Sequence, residues 1–194
     1  MESPNQSTSL SLLQRIRNRE EDAWRRLLHL YSPLVLHWCK RRDVSGQDAE
    51  DVLQEVFQAV AGGLDGFRRD RPGDTFRGWL HGITRNKLLD HFRRLEKHLQ
   101  ATGGTDAQRR LQEVAEEETP EDPPDVLGSL YHRALELVRA EFEPRTWEAF
   151  WRSAVEGHDT STIAADLGVT SAAIRKAKSR ILHRLRQEVG DLLA

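Results

Sequence analysis

The residues best equipped for chemistry lie in three stretches of this chain, two cationic and one acidic. Near the carboxy terminus Arg175, Lys176, Lys178, Arg180, Arg184 and Arg186 follow one another with no acid between them. Such a run suits a polyanion, because guanidinium and ammonium groups pair with phosphates and can also read guanine edges in a major groove. A second cationic stretch carries Arg77, Arg85, Lys87, Arg93 and Arg94, preceded by Arg68, Arg69 and Arg71. The acidic stretch places Asp48, Asp51 and Glu55 at i, i+3 and i+7, with Gln54 and Gln58 alongside. Paired carboxylates can hold a divalent metal, as in nucleases and recombinases. Here the acids form one long stripe with no companion acid or histidine motif, so a solvated helix face is the simpler reading from the residues alone.

Each stretch needs a helix to present it. Ser171 to Arg186 reads as the second helix of a helix-turn-helix, entered through Thr160-Ser-Thr-Ile-Ala-Ala-Asp-Leu-Gly-Val-Thr170. Ala164 lets two helices approach, Gly168 supplies the positive φ of the turn, and Ile174 anchors the second helix. With Thr170 as N-cap, Ile174, Ala177, Ile181 and Leu185 make an inward stripe. Ser171, Ala172, Arg175, Lys176 and Ser179 are left to face base edges, with Arg180, His183, Arg184 and Arg186 as phosphate clamps. A basic, solvated helix that never meets DNA is the bland alternative.

The acidic stripe belongs to the clearest amphipathic helix, Asp48 to Val60, where Ala49, Val52, Leu53, Val56, Phe57 and Val60 share a face that Gly62-Gly63 ends. The second cationic stretch opens after Asp74 or Thr75 as N-cap, with Phe76, Trp79, Leu80, Ile83, Leu88 and Leu95 on one face. Its aromatics could stack on unpaired bases, although Trp79 lies on the apolar stripe and reads as core. Upstream, Leu10, Leu13, Ile16, Ala23, Leu27, Leu30 and Tyr31 continue the helical period until Pro33 invites a break or a new first turn. Helical periodicity resumes at Ser129, and Pro144 opens a further helix holding Trp147, Phe150 and Trp151.

Between residues 100 and 128 the character changes. Gly103-Gly104, a run of acids from Glu113 to Asp125, and Pro120, Pro123 and Pro124 describe a flexible, self-repelling linker, with a transient helix over Ala107 to Glu118 as an option. The expectation is therefore an all-α chain of two small helical domains, residues 9–99 and 129–194, joined by an acidic linker over 100–128. The net charge of −2 hides this partition between cationic helices and acidic linker.

A single cysteine, Cys39, rules out an internal disulfide and a cysteine-rich zinc site. His37 beside it has no further ligand cluster nearby, and a buried core cysteine is expected; no metal and no cofactor is called for. No stretch approaches the roughly 20 apolar residues of a membrane span and the amino terminus lacks a signal-peptide pattern, which gives an expectation of a cytoplasmic protein without membrane insertion.

Together, Asn18-Arg-Glu-Glu-Asp-Ala-Trp-Arg-Arg-Leu27, the helix from Asp48 to Phe57, the stretch from Phe76 to Asp90 and the helix-turn-helix, in this order, resemble the extracytoplasmic-function group of the bacterial sigma-70 family. The resemblance spans nearly everything outside the first residues and the linker. It implies a non-enzymatic initiation factor built of sigma regions two and four. Core RNA polymerase would be its partner, with Asp48, Asp51, Gln54, Glu55 and Gln58 on the beta-prime clamp coiled coil and the C-terminal domain on the beta flap. Promoter DNA would be read at the minus-ten element by Arg69, Arg71, Asp74, Arg85, Asn86, Asp90, Arg93 and Arg94. The minus-thirty-five element would fall to Ser171, Ala172, Arg175, Lys176, Ser179, Arg180 and Arg184. The loop from Arg69 to Thr75 would capture an extruded base, the linker would thread through the polymerase, and an anti-sigma factor is a further partner the group allows for. Such a protein would be nucleoid-associated through the polymerase. The aromatic segment Phe142-Glu-Pro-Arg-Thr-Trp-Glu-Ala-Phe-Trp151 departs from the aliphatic run usual there in the group. A stand-alone helix-turn-helix regulator, or a metal-dependent recombinase or nuclease using the acidic helix, are the competing classes.

Overall fold

A computed structural model describes residues 11–68, 70, 74–99, 114 and 122–190. Its regular elements are α1 (Leu12–Arg17), α2 (Glu21–Lys40), α3 (Gly46–Gly63), a 3₁₀ turn (Leu64–Gly66), α4 (Phe76–Leu99), α5 (Pro124–Arg139), α6 (Pro144–Ala154), α7 (Thr160–Leu167) and α8 (Ser171–Val189). Among the described residues there is no strand, and no helix is long and apolar enough to cross a membrane. The option of a helix over 107–118 lies outside the described residues apart from Val114, which is helical and buried.

Helix α2 is the axis of the N-terminal half, in contact with α1, α3 and α4. Pro33, which permits a break or a new first turn, makes neither and lies inside the helix. A proline inside a helix costs about 3 kcal/mol. Leu30, Tyr31, Leu34 and Val35 are all buried around it, at about 1.5–3 kcal/mol for each such side chain, so packing outweighs the lost hydrogen bond. Cys39 is also buried, and burial pushes its thiol up to about 11. The side chain of Arg17 ties α1 to the end of the 3₁₀ turn, donating to the carbonyl oxygens of Leu64 (3.2 Å) and Phe67 (2.8 Å).

The C-terminal helices form two smaller apolar clusters. Trp147, Phe150 and Ile181 close around Val138, while Ala149, Ile163 and Ile174 form the heart of the helix-turn-helix. Helix α5 begins at Pro124, five residues ahead of the expected boundary at Ser129. The adjoining prolines that read as linker breakers serve as its cap and first residue, where a missing N–H costs nothing and φ is already helical.

The two halves are packed together. Helix α5 lies on α2, α8 touches α1, and Leu130, Ala134 and Val189 join the core of the N-terminal half. Polar contacts fasten the seam. Arg26 of α2 donates to Glu141 at 2.6 Å and to Glu188 at 3.1 Å, and Arg184 of α8 donates to both acids as well. Arg133 of α5 donates to the carbonyl of Leu30 at 3.1 Å. Burial tends to raise the carboxyl of Glu141, but hydrogen bonds and charge from Arg184 and Arg26 outweigh it and hold the group below its ordinary 4.5. A depressed carboxyl stabilises the contact fully above its unfolded value and progressively less as pH falls through the folded one. Limited proteolysis between the halves, followed from pH 7 downward, should therefore stay flat to about pH 4.5 and accelerate below it, and Glu141→Gln should reduce that pH dependence.

Candidate nucleic-acid and polymerase interface

The helix-turn-helix forms as its residues demand. Asp159 caps α7 through Ser161 N–H, Gly168 turns the chain at φ 59°, and the Thr170 hydroxyl accepts from Ala173 N–H at 3.1 Å to start α8. Arg152 of α6 pairs with Asp166 of α7 at 2.5 Å, and Arg145 donates to the carbonyl of Gly168 at 3.3 Å, so α6 holds α7 near its C-terminal end. Ile174, Ala177 and Ile181 are buried, and Leu185 packs on both neighbouring clusters. That orientation leaves Ala172, Arg175, Lys176 and Ser179 exposed and Ser171 half-buried on the opposite face. The front of α8 is thus open to a groove, and its first-turn amides suit a phosphate.

Further along, α8 is less available than its composition suggests. The Arg180 guanidinium lies 5.7 Å above the Phe142 ring. Arg184, expected to clamp phosphate, is instead bound by Glu141 (2.6 and 2.9 Å) and Glu188. Burial would lower its pKa, yet these two carboxylates together raise it, so the group stays charged and occupied.

Helix α3 turns Ala49, Val52, Val56, Phe57 and Val60 inward. Asp48, Asp51, Gln54 and Gln58 are exposed and Glu55 is half-buried, a continuous acid-and-amide surface. Among the described residues no three His, Cys, Asp or Glu side chains converge as metal ligands. The stripe borders a shallow groove of about 320 Å³ shared with His91 and Arg94 of α4. Glu55 accepts from Arg94 at 2.7 Å and lies 3.9 Å from Lys87, and the hydrogen bond from Glu55 raises the pKa of Arg94.

The cations of α4 consequently fall on three faces. Lys87 and Arg94 lean toward α3. Arg93 is exposed, 3.2 Å from Asp90, and Asn86 beside it is exposed too, so these form the outward face. Arg77 and Arg85 face a third way, since nine residues at about 100° each put Asn86 opposite Arg77. Arg85 donates to the carbonyl of Val114 at 2.8 Å, and Arg77 holds Asp122. The N-cap is Thr75, whose hydroxyl accepts from Gly78 N–H at 3.0 Å, while Asp74 accepts from Asp70 N–H at 3.1 Å. Trp79 is half-buried, against Phe67 and Phe76. Arg69, Arg71 and most of the expected base-capture loop lie outside the described residues.

Sequence reasoning does not single out Arg15, Arg26, Trp38, Glu141 or Glu188, nor does it separate Asp122 from the acids around it. The side chains of Asp122 and Glu188 are fully buried. Trp38 Nε1 donates to Asp122 Oδ1 at 2.7 Å, and Arg77 reaches Oδ2 through Nε at 2.8 Å. Only the pairing of residues far apart in the chain distinguishes these groups.

An acid-and-amide helix, a cationic helix packed on it and a helix-turn-helix stand in one chain, and sequence comparison decides what that combination is. The Sigma-70 region 2 family matches residues 27–98. The ECF RNA polymerase sigma factor SigE of Mycolicibacterium smegmatis is 33% identical over 174 residues, 89% of this chain and 62% of the relative. Residues 27–98 thus match sigma-70 region 2, and the chain as a whole is similar to ECF sigma factors. BldN of Streptomyces coelicolor, an ECF RNA polymerase sigma factor, is 28% identical over 94% of this chain and 66% of its own length. The sigma factor CarQ of Myxococcus xanthus is 28% identical over 93% of this chain and 97% of its own length. The chain therefore spans somewhat less than two thirds of SigE and BldN and nearly all of CarQ. Helix α2 from Leu27 onward, all of α3 and all of α4 but Leu99 fall within the region 2 match.

The cap and turn of the helix-turn-helix give a direct check on this geometry. Thr170→Ala should cost about 1 kcal/mol and Gly168→Ala about 1–2 kcal/mol, the latter from strain at a left-handed φ. Thermal unfolding should show both losses, while Ser179→Ala, on the exposed face, should change stability by less than about 0.5 kcal/mol.

Proposed function

We propose that this chain is a sigma factor that binds core RNA polymerase and directs promoter recognition and melting, with no catalytic chemistry of its own. Residues 9–99 would act as region two and residues 129–194 as region four. The observation that carries the reading is the coexistence of an exposed acid-and-amide face on α3 with an exposed cationic front on α8, on one chain of net charge −2. Arg94 and Arg184 are paired within the chain, which leaves fewer cations to displace counterions from free DNA, so a large partner has to supply the rest of the affinity.

In this reading Asp48, Asp51, Gln54, Glu55 and Gln58 dock on the beta-prime clamp coiled coil. Asn86, Asp90 and Arg93, the outward face of α4, approach the minus-ten element first, with Arg94 joining from the groove it shares with α3. Asp74 and the loop before it, including Arg69 and Arg71, would cradle an extruded base, whose unstacking costs a few kcal/mol that the pocket must offset. Ser171, Ala172, Arg175, Lys176 and Ser179 read the minus-thirty-five element, with Arg180 on the flanking phosphates. The aromatic groove of about 1160 Å³ lined by Phe142, Trp147 and Trp151 is the natural seat for the beta flap. Action inside the cytoplasm, on the nucleoid, is the corollary of such partners.

Co-purification with core polymerase followed by run-off transcription tests the proposal. A promoter-dependent transcript that requires the chain is expected. Asp51→Ala with Gln58→Ala should weaken core association about tenfold, equivalent to about 1.4 kcal/mol. Arg175→Ala should leave core binding unchanged and cost about 1–3 kcal/mol at the upstream element. Tight, salt-resistant binding of a palindromic operator by the chain alone, with no transcript, would identify a stand-alone regulator instead.

A further inference from the structure

We propose that the pocket between α2 and α4 that Val114 fills is a nucleobase site for the melted promoter strand, and that the valine occupies it until DNA displaces it. The pocket is argued from geometry alone; that its ligand comes from a promoter rests on the sigma-factor reading.

Val114 belongs to the acidic stretch that follows α4, where it is the one aliphatic side chain larger than alanine between Gln112 and Pro120. It is nevertheless only 1% exposed. Trp38 of α2 and His81, Thr84 and Leu88 of α4 line its pocket, together with Arg41 and Arg85. Trp38 and His81 are both buried and meet edge to face, with ring centroids 5.0 Å apart. The Thr84 hydroxyl donates to the carbonyl of Leu80 on its own helix at 2.9 Å, so indole, imidazole and aliphatic surface make the walls. None of the lining residues is acidic.

What Val114 brings to this pocket is an apolar plug and one acceptor, its carbonyl oxygen, which takes a hydrogen bond from Arg85 Nε at 2.8 Å. A nucleotide of a single strand brings the same two things: a face to lie against aromatic rings, and oxygens for a guanidinium. Arg41 and Arg85 beside the pocket suit the phosphates on either side of such a base. With the valine in place only about 10 Å³ remains, so a base enters only as the segment leaves. Trp38 does not need Val114 to hold its ring. Its indole N–H donates to Asp122 Oδ1 at 2.7 Å, and Arg77 binds Oδ2 of the same carboxylate, so the stacking surface persists when the plug goes.

Position on α4 favours the melted strand as the ligand. Arg85 directly precedes Asn86 of the outward face, so a strand laid on that face reaches the pocket within one turn of the helix. Arg85, which is turned away from the outward face, thereby regains a part in reading DNA. Only the N-terminal half and the segment at Val114 take part.

Anisotropy of a fluorescent oligodeoxythymidine titrated with the full chain tests this. Val114→Gly removes the plug and should tighten binding about tenfold, and adding Arg85→Ala should cancel the gain, with circular dichroism showing both variants as helical as wild type. With 5-iodouracil in the oligonucleotide, photo-crosslinks to the Val114→Gly chain should map to Trp38 or His81. Unchanged affinity in Val114→Gly, or crosslinks confined to the face of Asn86, Asp90 and Arg93, would overturn the site, and tighter binding of oligouridine than of oligodeoxythymidine would refute DNA as its ligand. On the wild-type chain, saturating oligodeoxythymidine should speed amide exchange at Val114; unaltered exchange would defeat the displacement. Run-off transcription decides the sigma reading separately: a promoter-dependent transcript without any gain from Val114→Gly sinks the pocket alone, whereas crosslinks at Trp38 without a transcript sink its assignment to a promoter.

Discussion

Burial around α2 is the constraint on which the rest of the molecule depends. The helix is lined by Ala23, Leu27, Leu30, Tyr31, Leu34, Val35, Trp38 and Cys39, all buried, and it contacts α1, α3 and α4 in its own half and α5 in the other. The helix tolerates an internal proline because side-chain packing, not hydrogen bonding, keeps it continuous. From this axis α3 and α4 take their orientation, and with it the outward direction of Asp51, Gln58, Asn86 and Arg93. The same axis receives Asp122 through Trp38 and the C-terminal half through Arg26.

The helical periods are legible in the sequence, and so is most of the helix-turn-helix. Ile174, Ala177 and Ile181 are spaced so that only one face can be buried, and Gly168 and Thr170 have local jobs that depend on neighbours within four residues. The acid-and-amide stripe of α3 is equally readable, because its apolar side leaves the orientation no choice. What local pattern cannot supply is the partner of each charge. Arg94 and Glu55 are 39 residues apart and suggest different ligands, yet they bind each other. Arg184 sits in a run of cations indistinguishable by composition from Arg175, and only its distance to Glu141 tells them apart. The onset of α5 at Pro124 escapes local pattern for a related reason: proline favours both a linker and a first helical turn, and the packing of the residues after it decides between them.

The ion pair between Glu55 and Arg94 has a bearing on how the two surfaces of the N-terminal half communicate. An exposed pair of this kind is worth at most about 1 kcal/mol, too little to hold the fold but enough to bias where Arg94 points. In the sigma reading, a cationic group from the polymerase that takes Glu55 leaves Arg94 with one fewer acceptor and a better reason to pair with phosphate. Asp90, by contrast, pairs with Arg93 on its own helix, so that contact is indifferent to what happens at α3. In that reading, binding on α3 is linked to the charge presented on α4 through a single carboxylate, with no movement of either helix required.

The seam between the halves is balanced differently. Two of its acids, Glu188 and Asp122, are buried where those of α3 are not, and desolvating a carboxylate costs several kcal/mol unless guanidinium groups offset it. Glu188 has three arginines within 3.6 Å of Oε1, although its buried Oε2 has no hydrogen-bond partner among the described residues, and Asp122 has an arginine and an indole N–H. The seam is not polar alone, because Leu130, Ala134 and Val189 pack into the core of the N-terminal half beside these charges. A purely apolar seam of the same area would have been harder to release, and an exposed one would not have held.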